Sequence, residues 1–156
     1  MHASAARFAE RVSEEYGFEA DIEEFPDGTK TAADAAEAVG CSVSQIVKSI
    51  VLVADGEVIV VLTAGDNRVD TDALASELGV GSVRTGNPEE VKAATGWSIG
   101  GVPPFGHESD VATYLDESLL DRDRIWAAAG TPDAVFALSP DRLRSIADPE
   151  PTTAFE

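Results

Sequence analysis

Two apolar runs, Ile46 to Ala54 and Val58 to Thr63, are joined through Asp55-Gly56. Asp-Gly suits a tight reversal, because both residues tolerate the positive φ that a two-residue hairpin loop needs. The runs therefore predict paired antiparallel strands. Each is apolar at nearly every position instead of alternating, so both faces of the sheet must be covered. A hairpin buried on two sides needs helices on two sides, and the rest of the chain supplies them. With 156 residues, of which 44% are hydrophobic, a single domain can bury such a core without staples.

Apolar residues at three- and four-residue spacing predict a helix over 4–16, with Gly17 as its stop. Phe18 to Phe25 alternates apolar and acidic residues and reads as a half-buried strand, followed by a turn at Pro26-Asp27-Gly28. Thr31 caps a short alanine-rich helix that runs through Val39 to Gly40. A further helix runs from Asp70 or Thr71 through Leu78 to Gly79, and Val80 to Thr85 is a short strand. Asn87-Pro88 opens the next helix, which ends before Gly96. Strands are expected at about Val111–Leu115, Arg124–Ala128 and Ala134–Leu138, and Ser139-Pro140 opens a last helix. The tail after Asp148 reads as loosely ordered. The chain is thus expected to be one α/β domain over 1–156, with a mostly strand-built core.

Charge narrows the function. There are 29 Asp and Glu against 11 Lys and Arg, a net charge of -18, with Lys30, Lys48 and Lys92 as the only lysines. The acidic residues are spread along the chain, which fits adaptation to a salty cytoplasm. Such a surface argues against general nucleic-acid binding, DNA included, since that affinity comes from cations displacing counterions at phosphates. Cys41 is the single cysteine, and His2 and His107 are the only histidines. An intrachain disulfide and a His/Cys metal site are therefore not expected. No apolar run reaches membrane-spanning length, and the protein is expected to be soluble and cytoplasmic, with no membrane partner.

Two places stand out as chemistry. Lys48 lies just inside a strand that reads as buried, where an ammonium must reach water, a carboxylate or a bound anion. The segment Gly100-Gly101-Val102-Pro103-Pro104-Phe105-Gly106-His107 combines glycines, which let backbone amides approach a ligand, with a rigid Pro-Pro. Pre-organised amides suit a carbonyl or a developing oxyanion. His107 is a candidate acid, base or donor. In Gly65-Asp66-Asn67-Arg68, either Asp66 or Asn67 can sit at a site mouth. No nucleophile elbow, P-loop, dinucleotide fingerprint or zinc signature is present.

Taken in order, Thr31-Ala32-Ala33-Asp34-Ala35-Ala36, Gln45-Ile46-Val47-Lys48-Ser49-Ile50-Val51, Gly65-Asp66-Asn67-Arg68-Val69-Asp70 and Gly96-Trp97-Ser98-Ile99-Gly100-Gly101-Val102-Pro103-Pro104-Phe105-Gly106 resemble the YbaK/aminoacyl-tRNA-synthetase-associated, or prolyl-tRNA editing, family. The resemblance spans about Thr31 to Ala147 and is that of a free-standing member. It implies a mixed, partly barrel-like sheet with flanking helices. It implies a trans-editing deacylase that cleaves the ester of mischarged tRNA, often tRNA for proline carrying Cys, Ala, Ser or Thr. Its partners are the aminoacyl-tRNA acceptor end and, in some members, an aminoacyl-tRNA synthetase; no metal or other cofactor is needed. Carried over, Lys48 anchors the phosphate or ribose of the terminal adenosine, and amides near Gly100 and Gly101 hold the aminoacyl carbonyl. Thr31, Asp66, Pro103, Pro104 and His107 are the candidate substrate-binding residues. A ribose hydroxyl of the substrate or an ordered water supplies the nucleophile. A tRNA- or synthetase-binding module without turnover, and a hydrolase of another small ester, are the alternatives.

Overall fold

The computed structural model describes residues 2–25 and 31–156; the expected turn at Pro26-Asp27-Gly28 lies outside them. The hairpin is its centre. Strand β2 (Ile46–Ala54) pairs antiparallel with β3 (Glu57–Ala64), from Val47↔Ala64 to Ala54↔Glu57. Asp55 and Gly56 both take positive φ, 47° and 87°, as a two-residue loop matching the strand twist requires. The Asp55 carboxylate also accepts the amides of Gly81 and Ser82, each at 2.9 Å, and these bonds hold its pKa below the usual range.

Six more strands complete one mixed sheet: β1 (Ile22–Glu24), β4 (Val83–Thr85), β5 (Ala112–Asp116), β6 (Ile125–Ala128), β7 (Ala134–Leu138) and β8 (Glu150–Thr152). The order is β1-β7-β6-β2-β3-β5-β8, with β4 beside β2. The β2·β6, β3·β5 and β5·β8 pairs are parallel and the others antiparallel.

Helices cover both faces, as the apolar runs demanded. On one face Val47, Val51, Val60, Leu62 and Ala64 pack with Phe8 and Val12 of α1 (Ala3–Tyr16), with Trp97 and Phe105, and with Leu143 of α5 (Pro140–Ala147). On the other, Leu52, Ala54, Ile59 and Val61 meet Leu74 of α3 (Thr71–Leu78). On that same face, Ile46 meets Ala35 and Ala36 of α2 (Ala32–Val39) together with Trp126. Helix α4 (Pro88–Thr95) leads into the glycine loop, with the Asn87 cap and Pro88 where expected.

Three expectations are corrected. The strand expected over Val80–Thr85 forms only at Val83–Thr85, opposite Ala54–Leu52 of β2. The strand over Phe18–Phe25 is regular only at Ile22–Glu24, opposite Phe136–Ala134 of β7. Phe18 is buried against the rings of Phe105 and Phe136 by its side chain, with no strand beside its backbone. The tail is not loose. Glu150–Thr152 pairs parallel with β5, Thr152 Oγ1 donates to Glu77 Oε2 at 2.6 Å, and Ala154 is buried. Pro151 hides this strand in the sequence, yet an outer strand tolerates a proline.

Candidate functional site

The site follows from a break in the sheet. Along one edge β2 is paired with β3 throughout. Along the other, β6 pairs only with Ile46 and Val47, and β4 only with Leu52, Val53 and Ala54. Between them, 48–51 has no strand neighbour on that edge among the described residues. The N–H and C=O of one strand residue point to one edge and those of the next residue to the other. The Ile46 carbonyl accepts from Gly65 beside β3, and the Val51 carbonyl accepts from Gly86 on the interrupted edge. The amide and carbonyl of Ser49 therefore open into the gap. The Ser49 hydroxyl is buried with no hydrogen-bond partner.

A cleft of about 660 Å³ occupies the gap. Its walls are apolar, with Ala32, Ala35, Val43, Ile46, Trp126 and Val135; Thr31, Lys48, Ser49 and Thr85 are its polar groups, and Ile99, Gly100 and Pro132 stand with them. Among the described residues Lys48 is the single charged one on the lining. Its ammonium donates to the Asn67 carbonyl at 2.8 Å, which leaves two N–H donors for a ligand. Burial pushes its pKa below the ordinary lysine value; Asp66 opposes that shift, Arg68 adds to it and Asp116 opposes it.

Asn67 is itself held. Asp116, only 2% exposed, accepts from the Asn67 side chain at 2.7 Å, the Ala64 amide at 3.0 Å, and the Ser118 amide and hydroxyl at 3.0 and 2.8 Å. The buried carboxylate thus fixes the turn after β3, and the turn fixes Lys48. The sequence reading passed over Asp116. Its one signal is an aspartate ending an apolar strand two residues before a serine.

The glycine loop begins with a turn, Ser98-Ile99-Gly100-Gly101. The Gly101 amide donates to Ser98 O at 3.0 Å, and Gly100 takes φ 87°, the value the third residue of a type II turn needs. The Gly100 amide is exposed and meets no protein acceptor among the described residues. Gly101 is buried, and a Cβ there would stand 2.6 Å from Thr131 Cα and 2.8 Å from Thr131 N. Of the two amides expected to hold a carbonyl, the one at Gly100 is therefore free. Gly101 is a glycine because the loop seats on the Thr131 backbone.

The remaining candidates separate. Thr31 lines the cleft while its hydroxyl caps α2, accepting from the Asp34 amide at 3.1 Å. Asp66 is exposed, off the cleft wall, and acts on Lys48 through its charge. Pro103 and Pro104 are buried outside the lining. His107 and Pro104 line a second cavity of about 390 Å³, with no lining residue in common with the first. The His107 ring N–H donates to Pro103 O at 2.8 Å, and Arg11 donates to the His107 carbonyl at 2.8 Å. Burial lowers the imidazole pKa, the bond to Pro103 opposes that, and Arg11 adds to it. Cys41 is off the cleft wall and donates to Ser42 O at 3.4 Å; burial raises its thiol pKa. Among the described residues no three His, Cys, Asp or Glu are placed to hold a metal, and no helix is long and apolar enough to cross a membrane.

Comparison with known proteins places this geometry. The family model of the aminoacyl-tRNA editing domain matches residues 26–146. The chain belongs to the aminoacyl-tRNA editing family. The editing-domain match takes in the cleft, the β2 gap and the glycine loop, while α1 lies before it. The chain is 36% identical to the uncharacterised protein YwhH of Bacillus subtilis (strain 168) over 126 residues, 80% of each chain. It is 32% identical to a proline–tRNA ligase of Nitratidesulfovibrio vulgaris (strain DP4) over 99 residues, 64% of this chain but 17% of the ligase. The same fold is found in a solved protein provisionally described as a trans-editing enzyme for prolyl-tRNA synthetase. There the TM-score is 0.93 at 38% identity, covering 100% of this chain and 99% of that one.

Proposed function

We propose that this editing domain is a trans-acting deacylase. It hydrolyses the ester between tRNA for proline and a small wrong amino acid such as Ala, Ser, Thr or Cys. The observation that carries the reading is the β2 gap itself: an apolar cleft with one ammonium on its wall and one free amide where the glycine loop joins it. The small side chain enters the apolar part. Lys48 meets the phosphate or ribose of the terminal nucleotide in a charge-assisted contact. The Gly100 amide donates to the ester carbonyl and to the oxyanion that forms from it. Water, oriented by the neighbouring ribose hydroxyl of the substrate, attacks that carbonyl and gives up a proton that ends on the leaving ribose oxygen. The acyl–oxygen bond breaks, releasing the amino acid and the free ribose hydroxyl. The lining offers no cysteine nucleophile and no histidine base.

Similarity to part of proline–tRNA ligases supports tRNA for proline as the substrate and a synthetase as a further partner. The charge of -18 supports a cytoplasm rich in salt as the setting. The test is a panel of mischarged tRNAs in molar potassium chloride. Release of a small amino acid from tRNA for proline supports the reading. Turnover of free small esters without turnover of any tRNA overturns it, as does tRNA binding with no turnover. The halophilic reading expects a melting temperature that climbs with potassium chloride, and a flat or falling curve refutes it.

A further inference from the structure

One large hydrophobic side chain among the described residues is exposed: Ile99, at 53%. It belongs to the cleft lining, directly before Gly100. A lone exposed isoleucine needs no explanation in general, but this one cannot fold back into the core. Its turn is closed by the Gly101-to-Ser98 bond, and Gly101 is seated on the Thr131 backbone. The loop therefore holds an apolar side chain in water beside the free amide. Pro132, also on the lining, stands beside Gly100, with Cβ 4.0 Å from where a Gly100 Cβ would be.

We infer that Ile99 is the platform on which the terminal nucleobase of the acceptor end packs. The inference rests on the deacylase reading. With the amino acid in the apolar cleft and its carbonyl at the Gly100 amide, the nucleoside is the part of the substrate that leads outward. Ile99 is one Cα step from Gly100, about 3.8 Å, so it lies where the nucleoside emerges. Outside the cleft, charge gives this protein little hold on RNA: the net charge is -18, and molar salt screens attraction between exposed charges. Packing a base face on an aliphatic side chain is insensitive to that screening, because its driving force is removal of apolar surface from water.

The test compares wild type with Ile99→Ser and Ile99→Phe in molar potassium chloride. Deacylation of a mischarged tRNA is measured, together with inhibition by two non-hydrolysable 3′-amides of the same amino acid, one on adenosine and one on the base-free ribose. Ile99→Ser is expected to raise KM and the inhibition constant of the adenosine compound about tenfold, the worth of roughly 60 Å² of apolar contact. The turnover number and the inhibition constant of the base-free compound stay within about twofold, and Ile99→Phe matches or tightens wild-type binding, as base stacking on a ring would. Equal adenosine-compound binding by wild type and Ile99→Ser overturns the inference alone. So does an equal loss for both compounds, which would make Ile99 a part of the loop's shape. Absence of tRNA deacylation by the wild type overturns the functional reading instead.

Discussion

Two cavities flank one loop, and they differ in kind. The cleft at the β2 gap is mostly apolar, with, among the described residues, a single ammonium and an unsatisfied amide. The cavity beyond Pro104 holds His107, Arg11 and Tyr16 with several carboxylates, and so contains more of the groups usually searched for as catalysts. Yet its histidine and its arginine are both tied to the loop backbone. The His107 ring is bonded to Pro103, and Arg11 to the His107 carbonyl. Outside that cavity, Arg7 of α1 also holds the start of the loop: it lies 3.9 Å over the Trp97 ring and donates to Gly96 O at 2.8 Å. The second cavity is where the loop is fastened to α1; the first is where the loop offers something unused. An apolar wall with an ammonium and a free backbone amide of the loop separates the first from the second better than the number of titratable groups does.

That contrast can be broken by substitution. The largest effect is expected at Lys48. Lys48→Ala should lower kcat/KM on a mischarged tRNA by roughly thirtyfold to a thousandfold, the worth of one charge-assisted contact of about 2–4 kcal/mol. Its melting temperature in high salt should stay near wild type, since removing a half-buried ammonium also removes a desolvation cost. Near-normal turnover would make the lysine structural and dissolve the distinction between the cavities.

Asp116→Asn comes next. It strips charge from a carboxylate that accepts four hydrogen bonds. Stability should fall by about 2 kcal/mol or more, and activity by about tenfold as Asn67 stops fixing the ammonium. Denaturant titration gives the first quantity and single-turnover deacylation the second. Unchanged kinetics in a destabilised variant would show that Lys48 finds its position without the turn.

Gly101→Ala should be destabilising as well as inactivating. The added carbon meets backbone at Thr131, so the strand-to-loop seat must move, at about 1–3 kcal/mol, lowering the melting temperature by several degrees. A variant that is fully stable yet inactive would instead point to a direct clash with substrate.

The smallest effect should be at His107. His107→Gln keeps a donor for Pro103 and should leave deacylation within about threefold of wild type. It should show in pH dependence of stability. The folded-state pKa lies below the ordinary value, so the unfolded chain binds the proton more readily. The stability conferred by the neutral ring is complete above about pH 6.5 and is lost as pH falls toward the folded value. The drop in melting temperature between about pH 7 and pH 5 should therefore be smaller in the variant. A large loss of turnover would move His107 into the chemistry.

The sequence made the local devices readable. The Asp55-Gly56 reversal, the caps at Thr31, Asp70, Asn87 and Ser139, and the glycines ending four of the helices stand where the residue types put them, because each is a contest among a few neighbouring groups. Lys48 and Gly100 were readable as candidates for the same reason: a charge in an apolar run and a glycine at a turn are local oddities. Long-range features were not readable. That β6 and β4 leave 48–51 unpaired depends on segments far apart in sequence. So do the burial of Asp116 under the β3 turn, the parallel docking of β8, and the seating of Gly101 on Thr131. Pro103, Pro104 and His107 adjoin the free amide in sequence, and only the packing of α1 against the loop shows that they face elsewhere.

The interruption in β2 also bears on how copies of this protein avoid one another. Strong like charge keeps acidic molecules apart in dilute buffer, but in concentrated salt that repulsion is screened. Unpaired strand edges then become templates for sheet growth between molecules. Here the open stretch of β2 is confined to 48–51, bounded by paired strands at both ends and carrying a lysine. The outer strands are as short: Ile22–Glu24 ends in two glutamates, and Glu150–Thr152 contains a proline. A second chain would find no run of the five to six residues that a strand typically uses. The gap thus opens space for a ligand without offering an edge for aggregation.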